Sequence, residues 1–193
     1  MKQKSHHREM IRINFNKLLK FILFYVGKVK KFIKELIPYI IIIIVVVLVR
    51  TYIITPVIVV GDSMVPTLED NQILLLNKIN YRFNEIERYD IVVIKVDNGE
   101  IIKRVIGLPG ENIEYRNNTL YINGHEEETE YNFDTEDFDL KSICNCDKIP
   151  QDKYLVLGDN RMVSSDSRII GLIDKDDILG NTSISIWPIK TVK

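Results

Sequence analysis

Two hydrophobic patterns divide the chain. From Leu36 to Val49 the sequence reads LIPYIIIIIVVVLV, and Tyr52-Ile53-Ile54 closes the run after Arg50-Thr51. Counted from Ile37, roughly eighteen residues carry one charge, at the short end of the ~17–25 needed to cross a bilayer. Arg50 near the far end has a side chain long enough to snorkel to the interface, and Tyr39 and Tyr52 flank the run as interfacial aromatics do. Beyond it apolar residues come in short, branched runs separated by turn residues, the pattern of strands. Strands are predicted at 56–60, 72–76, 91–96, 101–106, 112–115, 119–122, 154–157 and 184–187. Asp97-Asn98-Gly99 is a strong hairpin signal between the third and fourth of these. The fold class is therefore mainly β: an antiparallel β-barrel or folded sheet behind one N-terminal transmembrane helix.

Charge sharpens the division. The 193-residue chain has a formal net charge of −1. Before Pro38, however, ten basic residues from Lys2 to Lys34 face only Glu9 and Glu35, so the remainder is distinctly acidic. A basic arm before an apolar span puts the N-terminus in the cytoplasm and everything after Ile54 outside. Cleavage of the span as a secretory signal needs small residues at the site, and the chain has no alanine. The domains expected are a basic cytoplasmic segment at 1–35, a permanent anchor at 36–54 and an extracytoplasmic β-rich domain at 55–193. Phe21 to Ile33 mixes aromatics with lysines and suits a helix on the anionic leaflet, or equally a disordered tail. Glu126 to Asp139 is acidic without a clear period and reads as a solvated excursion. Cys144 and Cys146 are too few for a metal site, and His6, His7 and His125 are poorly spaced to complete one. They read as loop cysteines; outside the cell they could pair with one another, although pairing across one residue closes a tight, strained ring.

Three stretches carry candidate chemistry. In Gly61-Asp62-Ser63-Met64-Val65-Pro66-Thr67-Leu68, Pro66 excludes a helix interior and Gly61 lets the backbone bend, which presents Ser63 on a strand end. Taken alone, such a serine is ordinarily a turn residue. Lys103 lies within the apolar strand Ile101–Ile106, and alternation sends Lys103 and Arg104 to opposite faces, one of them inward. From a reference pKa near ~10.4 only about one lysine in a few thousand is neutral at pH 7. Burial lowers that pKa and makes a general base, although a lysine snorkelling from an edge strand fits the same residues. Gly158-Asp159-Asn160-Arg161 and Ser164-Ser165-Asp166-Ser167-Arg168 form a dense polar loop after an apolar strand, able to orient a neutral amine or simply to turn in solvent.

Taken in order behind the anchor, these stretches and Tyr89-Asp90-Ile91-Val92-Val93 resemble the sequence boxes of bacterial type I signal peptidases, membrane-anchored Ser–Lys proteases. Lys103-Arg104-Val105-Ile106-Gly107-Leu108-Pro109-Gly110-Glu111 is similar to the general-base box. The resemblance implies removal of N-terminal signal peptides from exported preproteins, by a monomer in the bacterial cytoplasmic membrane, with no cofactor, metal or nucleic acid. It assigns Ser63 as nucleophile and Lys103 as neutral base. Ser164 becomes a hydrogen-bonding partner of Lys103, with Asp166 and Arg168 as supports. The Ser63 backbone N–H is implied as oxyanion donor; Gly61 stands where some relatives carry a hydroxyl, so a second donor is either missing or comes from backbone. Met64, Leu68 and Ile102 are implied to form shallow pockets for small substrate side chains. Departures are Tyr89 where a glycine is common, Glu111 for aspartate, and Met162-Val163 where polar residues are usual. A LexA-like self-cleaving protein would need a small-residue site of its own, to which a chain without alanine is poorly suited. The residues also allow a peptidase devoted to pilin precursors, or a catalytically decayed membrane-anchored domain that binds peptides.

Overall fold

A computed structural model describes residues 2–131 and 133–192. The helix α1 runs from Lys2 to Tyr52 with Pro38 inside it. Within α1 the stretch Leu23–Tyr52 is long and apolar enough to cross a membrane, and none of its most apolar window is buried. The apolar helix thus begins well before Leu36, because Phe21 to Ile33 continues the same helix rather than standing apart from the anchor. It also ends at Tyr52, since Ile54 already opens the first strand. The basic side chains before Phe21 lie outside the described ones.

Among the described residues after the helix there are twelve strands: β1 (Ile54–Ile58), β2 (Ile73–Asn77), β3 (Ile91–Val96), β4 (Gly99–Gly107), β5 (Ile113–Arg116), β6 (Thr119–Ile122), β7 (His125–Glu126), β8 (Phe138–Asp139), β9 (Lys153–Leu157), β10 (Ile173–Asp174), β11 (Ile178–Trp187) and β12 (Ile189–Thr191). Every pairing is antiparallel. The larger sheet has the order β1-β2-β11-β3-β4-β9-β10, with β12 added to β11, and the smaller one β7-β6-β5-β8. The folded-sheet form of the expectation holds, whereas among the described residues no barrel closes, because β1 and β10 end the larger sheet. The Asn98-Gly99 hairpin forms as predicted, with Val96 opposite Gly99.

Alternation on β4 sets up everything that follows. Ile101 and Val105 pack on one face, with Val92, Ile94 and Ile173. Ile102 packs on the other, with Val59, Met64, Leu68 and Ile91. β9 pairs with β4 only from Arg104 onward, so among the described residues the first half of β4 keeps one edge free of strand partners.

The acidic excursion is more structured than its composition suggests. Phe138 pairs opposite Tyr115 in the smaller sheet, and Thr135 is buried. Arg104 stacks over the Tyr131 ring at 4.0 Å, so buried cations from the β domain hold a segment that composition alone assigns to solvent. Cys144 and Cys146 form a disulfide with Cα atoms 5.3 Å apart. They are paired rather than free, because Asn145 between them takes a left-handed conformation that folds the chain back on itself.

Candidate active site

The turn after β1 is built to hold a side chain still. Val59 N–H still donates to Gln72 O across the sheet at 2.9 Å, and Gly61 then adopts φ +83°, where a Cβ is disfavoured. Hydrogen bonds from Val65 N–H to Asp62 O (3.2 Å) and from Leu68 N–H to Met64 O (2.9 Å) close the turn. Met64 and Leu68, both fully buried, anchor it from below. Ser63 is left half-exposed between them and the sheet.

Antiparallel pairing with β3 places Lys103 opposite Val92 and brings its Nζ to 2.8 Å from Ser63 Oγ. Nζ also donates to Ile102 O at 2.8 Å. Lys103 is 3 % exposed, and burial pushes its pKa down, against the opposing pull of the Asp166 and Asp159 carboxylates. In this contact Nζ is the donor; a neutral amine at the same distance would instead accept the Ser63 proton. Both Lys103 and Arg104 turn out to be buried. Arg104 faces the other way and forms a two-pronged pair with Asp159, Nε to Oδ1 at 2.8 Å and Nη2 to Oδ2 at 2.6 Å, with neither side chain exposed. Thr67 donates to the same carboxylate at 2.5 Å. One ion pair therefore ties together the serine turn, the lysine strand and the polar loop.

The polar loop is braced mainly by its own charges. Asp166 accepts from Gly158 N–H at 3.0 Å and from Arg168 Nε and Nη2, both at 2.9 Å. Burial alone would raise the Asp166 pKa, but the hydrogen bonds from Arg168 and Gly158 bring it below the ordinary carboxylate value. Arg168 also reaches Arg161 O at 2.6 Å. Asn160 N–H donates to Ser63 O at 3.0 Å and stitches the loop to the nucleophile's own residue. Ser164 is buried beside these groups, but its Oγ makes no hydrogen bond at good geometry among the described residues. The expected bond to Lys103 is not formed; Nζ bonds Ser63 Oγ and Ile102 O instead. Met162 and Val163 point outward and are strongly exposed, so the apolar substitution leaves the bracing of Asp166 and Arg168 intact.

Two further expectations are corrected. The Gly61 N–H already donates to Asp70 Oδ1 at 2.8 Å, so it has no free hydrogen for an oxyanion. Leu68 is completely buried in the core behind the turn and, unlike Met64, does not line the cleft beside Ser63. A narrow cleft of about 150 Å³ opens beside Ser63 and Lys103, walled by Ile58, Val60, Met64 and Ile102. Met64 and Ile102 are among its walls, and the cleft has room for small side chains only.

Sequence reasoning gave no role to Arg104, Asp159, Gly158 or Arg161, although all four lie in the boxes that carry the resemblance. Gly158 packs so closely that a Cβ there would collide with Ser164 and with the Ser63 carbonyl. Arg161 donates to Gly158 O, the Tyr115 hydroxyl, Thr135 and Tyr131 O, and so fastens the polar loop to the acidic excursion. Tyr89 takes φ +72°, the conformation for which a glycine is suited. Its ring stacks on Tyr131 at 4.8 Å. Glu111 takes a two-pronged contact from Arg88 and accepts from Leu108 N–H.

A serine within proton-transfer reach of a buried lysine, beside a cleft fit for small side chains, has the geometry of a serine endopeptidase. Residues 30–187 match the model of the family described as signal peptidase, peptidase S26. Signal peptidase IB of Staphylococcus aureus is 40% identical over 161 residues, covering 76% of this chain and 84% of that one. Signal peptidase I of Bacillus caldolyticus is 37% identical over 152 residues, with 73% and 84% covered. The crystal structure of a signal peptidase I from Enterococcus faecalis V583 aligns with a TM-score of 0.47 and 35% identity, covering 51% of this chain and 97% of that one. The chain belongs to the signal peptidase, peptidase S26, family.

Proposed function

We propose that this chain is a membrane-anchored serine endopeptidase that removes N-terminal signal peptides from exported preproteins, with Ser63 as nucleophile and Lys103 as general base. The observation that carries the assignment is the 2.8 Å contact between Ser63 Oγ and the Nζ of a buried lysine whose pKa is pushed down by desolvation. Ser63 Oγ attacks the scissile carbonyl carbon as its proton passes to Lys103 Nζ. The Ser63 backbone N–H supports the charge that develops on the carbonyl oxygen. Lys103 then returns the proton to the departing amine, leaving the signal peptide esterified to Ser63. A water that gives its proton to the regenerated neutral lysine hydrolyses this ester.

The apolar helix fits a single-pass membrane anchor. The basic N-terminal arm supports a cytoplasmic N-terminus and an extracytoplasmic β domain in a bacterial cytoplasmic membrane. The segments then divide as 1–35, 36–54 and 55–193, with the anchor's helix reaching further back than Leu36. Substrates held in the same bilayer by their own apolar segments meet the site at raised effective concentration. The test is cleavage of a preprotein with an Ala-x-Ala site by the purified full-length chain in detergent. Release of a signal peptide cut after the second alanine is expected, and no cleavage of any such substrate refutes the reading.

A further inference from the structure

Beside the narrow cleft at Ser63 there is a second, larger one. About 770 Å³ in volume, it lies along the β3–β4 hairpin and includes Lys95, Asp97, Ile101, Ser165, Ile170 and Asp177 in its walls. The two clefts meet at Ile101, which contributes to both. Ile101 and its neighbour Ile102 send their side chains to opposite faces of β4. Ile102, in the narrow cleft, packs with Met64 and Val59, whereas Ile101 packs with the core that contains Ile173, another wall of the large cleft. Ser165 adjoins Ser164 in the loop that touches Ser63, so the large cleft begins within a residue or two of the reaction centre.

The free edge of β4 relates the clefts to one substrate. An extended peptide laid along Glu100–Lys103, with its scissile carbonyl at Ser63, sends successive side chains to opposite faces. The first and third residues before the cut then enter the narrow cleft. We propose that the second residue before the cut enters the large cleft, which acts as a separate specificity pocket for a long side chain with a cationic end. This rests on the peptidase reading given above. The chemistry follows from the walls. Ile101 and Ile170 offer an apolar surface to a hydrocarbon stem, and the exposed carboxylates of Asp97 and Asp177, set against the cation of Lys95, leave the rim net negative. Where the narrow cleft demands small residues, the large one rewards size and positive charge.

The test compares kcat/KM for preproteins that differ only at that second residue, as Ala, Leu, Lys or Asp, using the full-length protein in detergent. The wild type is expected to prefer Lys over Asp by roughly two- to fivefold, the size of an exposed ion pair. Charge reversal in the doubly substituted Asp97→Lys/Asp177→Lys protein is expected to invert that order while leaving the Ala substrate unchanged. Ile170→Trp, which fills the cleft, is expected to slow the Leu and Lys substrates relative to Ala. Equal ratios in all three proteins, with the Ala substrate still cut, overturn this pocket and leave the peptidase reading standing. No cleavage by the wild type overturns both.

Discussion

Arg104 and Asp159 form a fully buried ion pair, two-pronged at 2.8 and 2.6 Å, on the reverse side of the strand that carries Lys103. Removing one partner leaves an uncompensated charge in the core, which costs about 3–5 kcal/mol. Asp159→Ala is therefore expected to lower the thermal midpoint strongly and to disturb Ser63 through Thr67, which donates to the same carboxylate. Thermal unfolding of the isolated variant checks this, and an unchanged midpoint would show that the pair does not tie the site together.

The lysine sets the pH dependence. Burial lowers the Lys103 pKa, and the reaction needs the neutral amine, so kcat/KM should rise with pH through the folded-state value. The stability effect has a definite sign too. Below its folded pKa Lys103 is charged in both states and bears the full desolvation penalty; that penalty fades as pH rises toward the unfolded value near ~10.4. Lys103→Met, which carries no charge to desolvate, should accordingly gain most stability at low pH and progressively less as pH increases. Denaturant unfolding across pH measures it, and a gain that grew with pH would contradict the assignment.

Asp166 has the opposite sign. Its carboxyl is held below the ordinary value, so its contribution is complete above the unfolded pKa near ~3.9 and is lost as pH falls through the lower folded value. Asp166→Asn should flatten the acid limb of the stability curve and loosen the loop around Ser164. An acid limb identical to the wild type would exclude Asp166 as its source.

Gly158 makes a purely steric prediction. A methyl group there meets Ser164 and the Ser63 carbonyl, so Gly158→Ala must displace the nucleophile's residue or its neighbour. A shift of about 1 Å costs on the order of a hundredfold in rate. The expected outcome is a loss of that size in kcat with a circular dichroism spectrum like the wild type; full activity would mean that the turn has room the structure does not show.

Much of this was legible in the residues. The Ile/Val run, the Asn98-Gly99 hairpin, Ser63 in a glycine–proline turn and Lys103 in an apolar strand each carry a local pattern, and local patterns are what a sequence displays. What escaped depends on contacts between distant segments. Arg104 meets Asp159 across the fold, so alternation could say that Lys103 and Arg104 diverge but not that both are buried. The same limit explains Leu68, apolar and near the nucleophile yet turned into the core, and Gly61, whose N–H is taken by Asp70. The acidic excursion looked solvated because the arginines that hold it, Arg104 and Arg161, come from other parts of the chain.

The central claim is that Ser63 and Lys103 act as one unit. Its most direct test is single-turnover cleavage of a preprotein by wild type, Ser63→Ala, Lys103→Ala and the double variant, all purified with the anchor intact. Groups that act together are strongly non-additive. Each single substitution should abolish cleavage while the protein still folds and inserts, and the double variant should be no slower than either. Undiminished cleavage by Ser63→Ala would contradict the account outright.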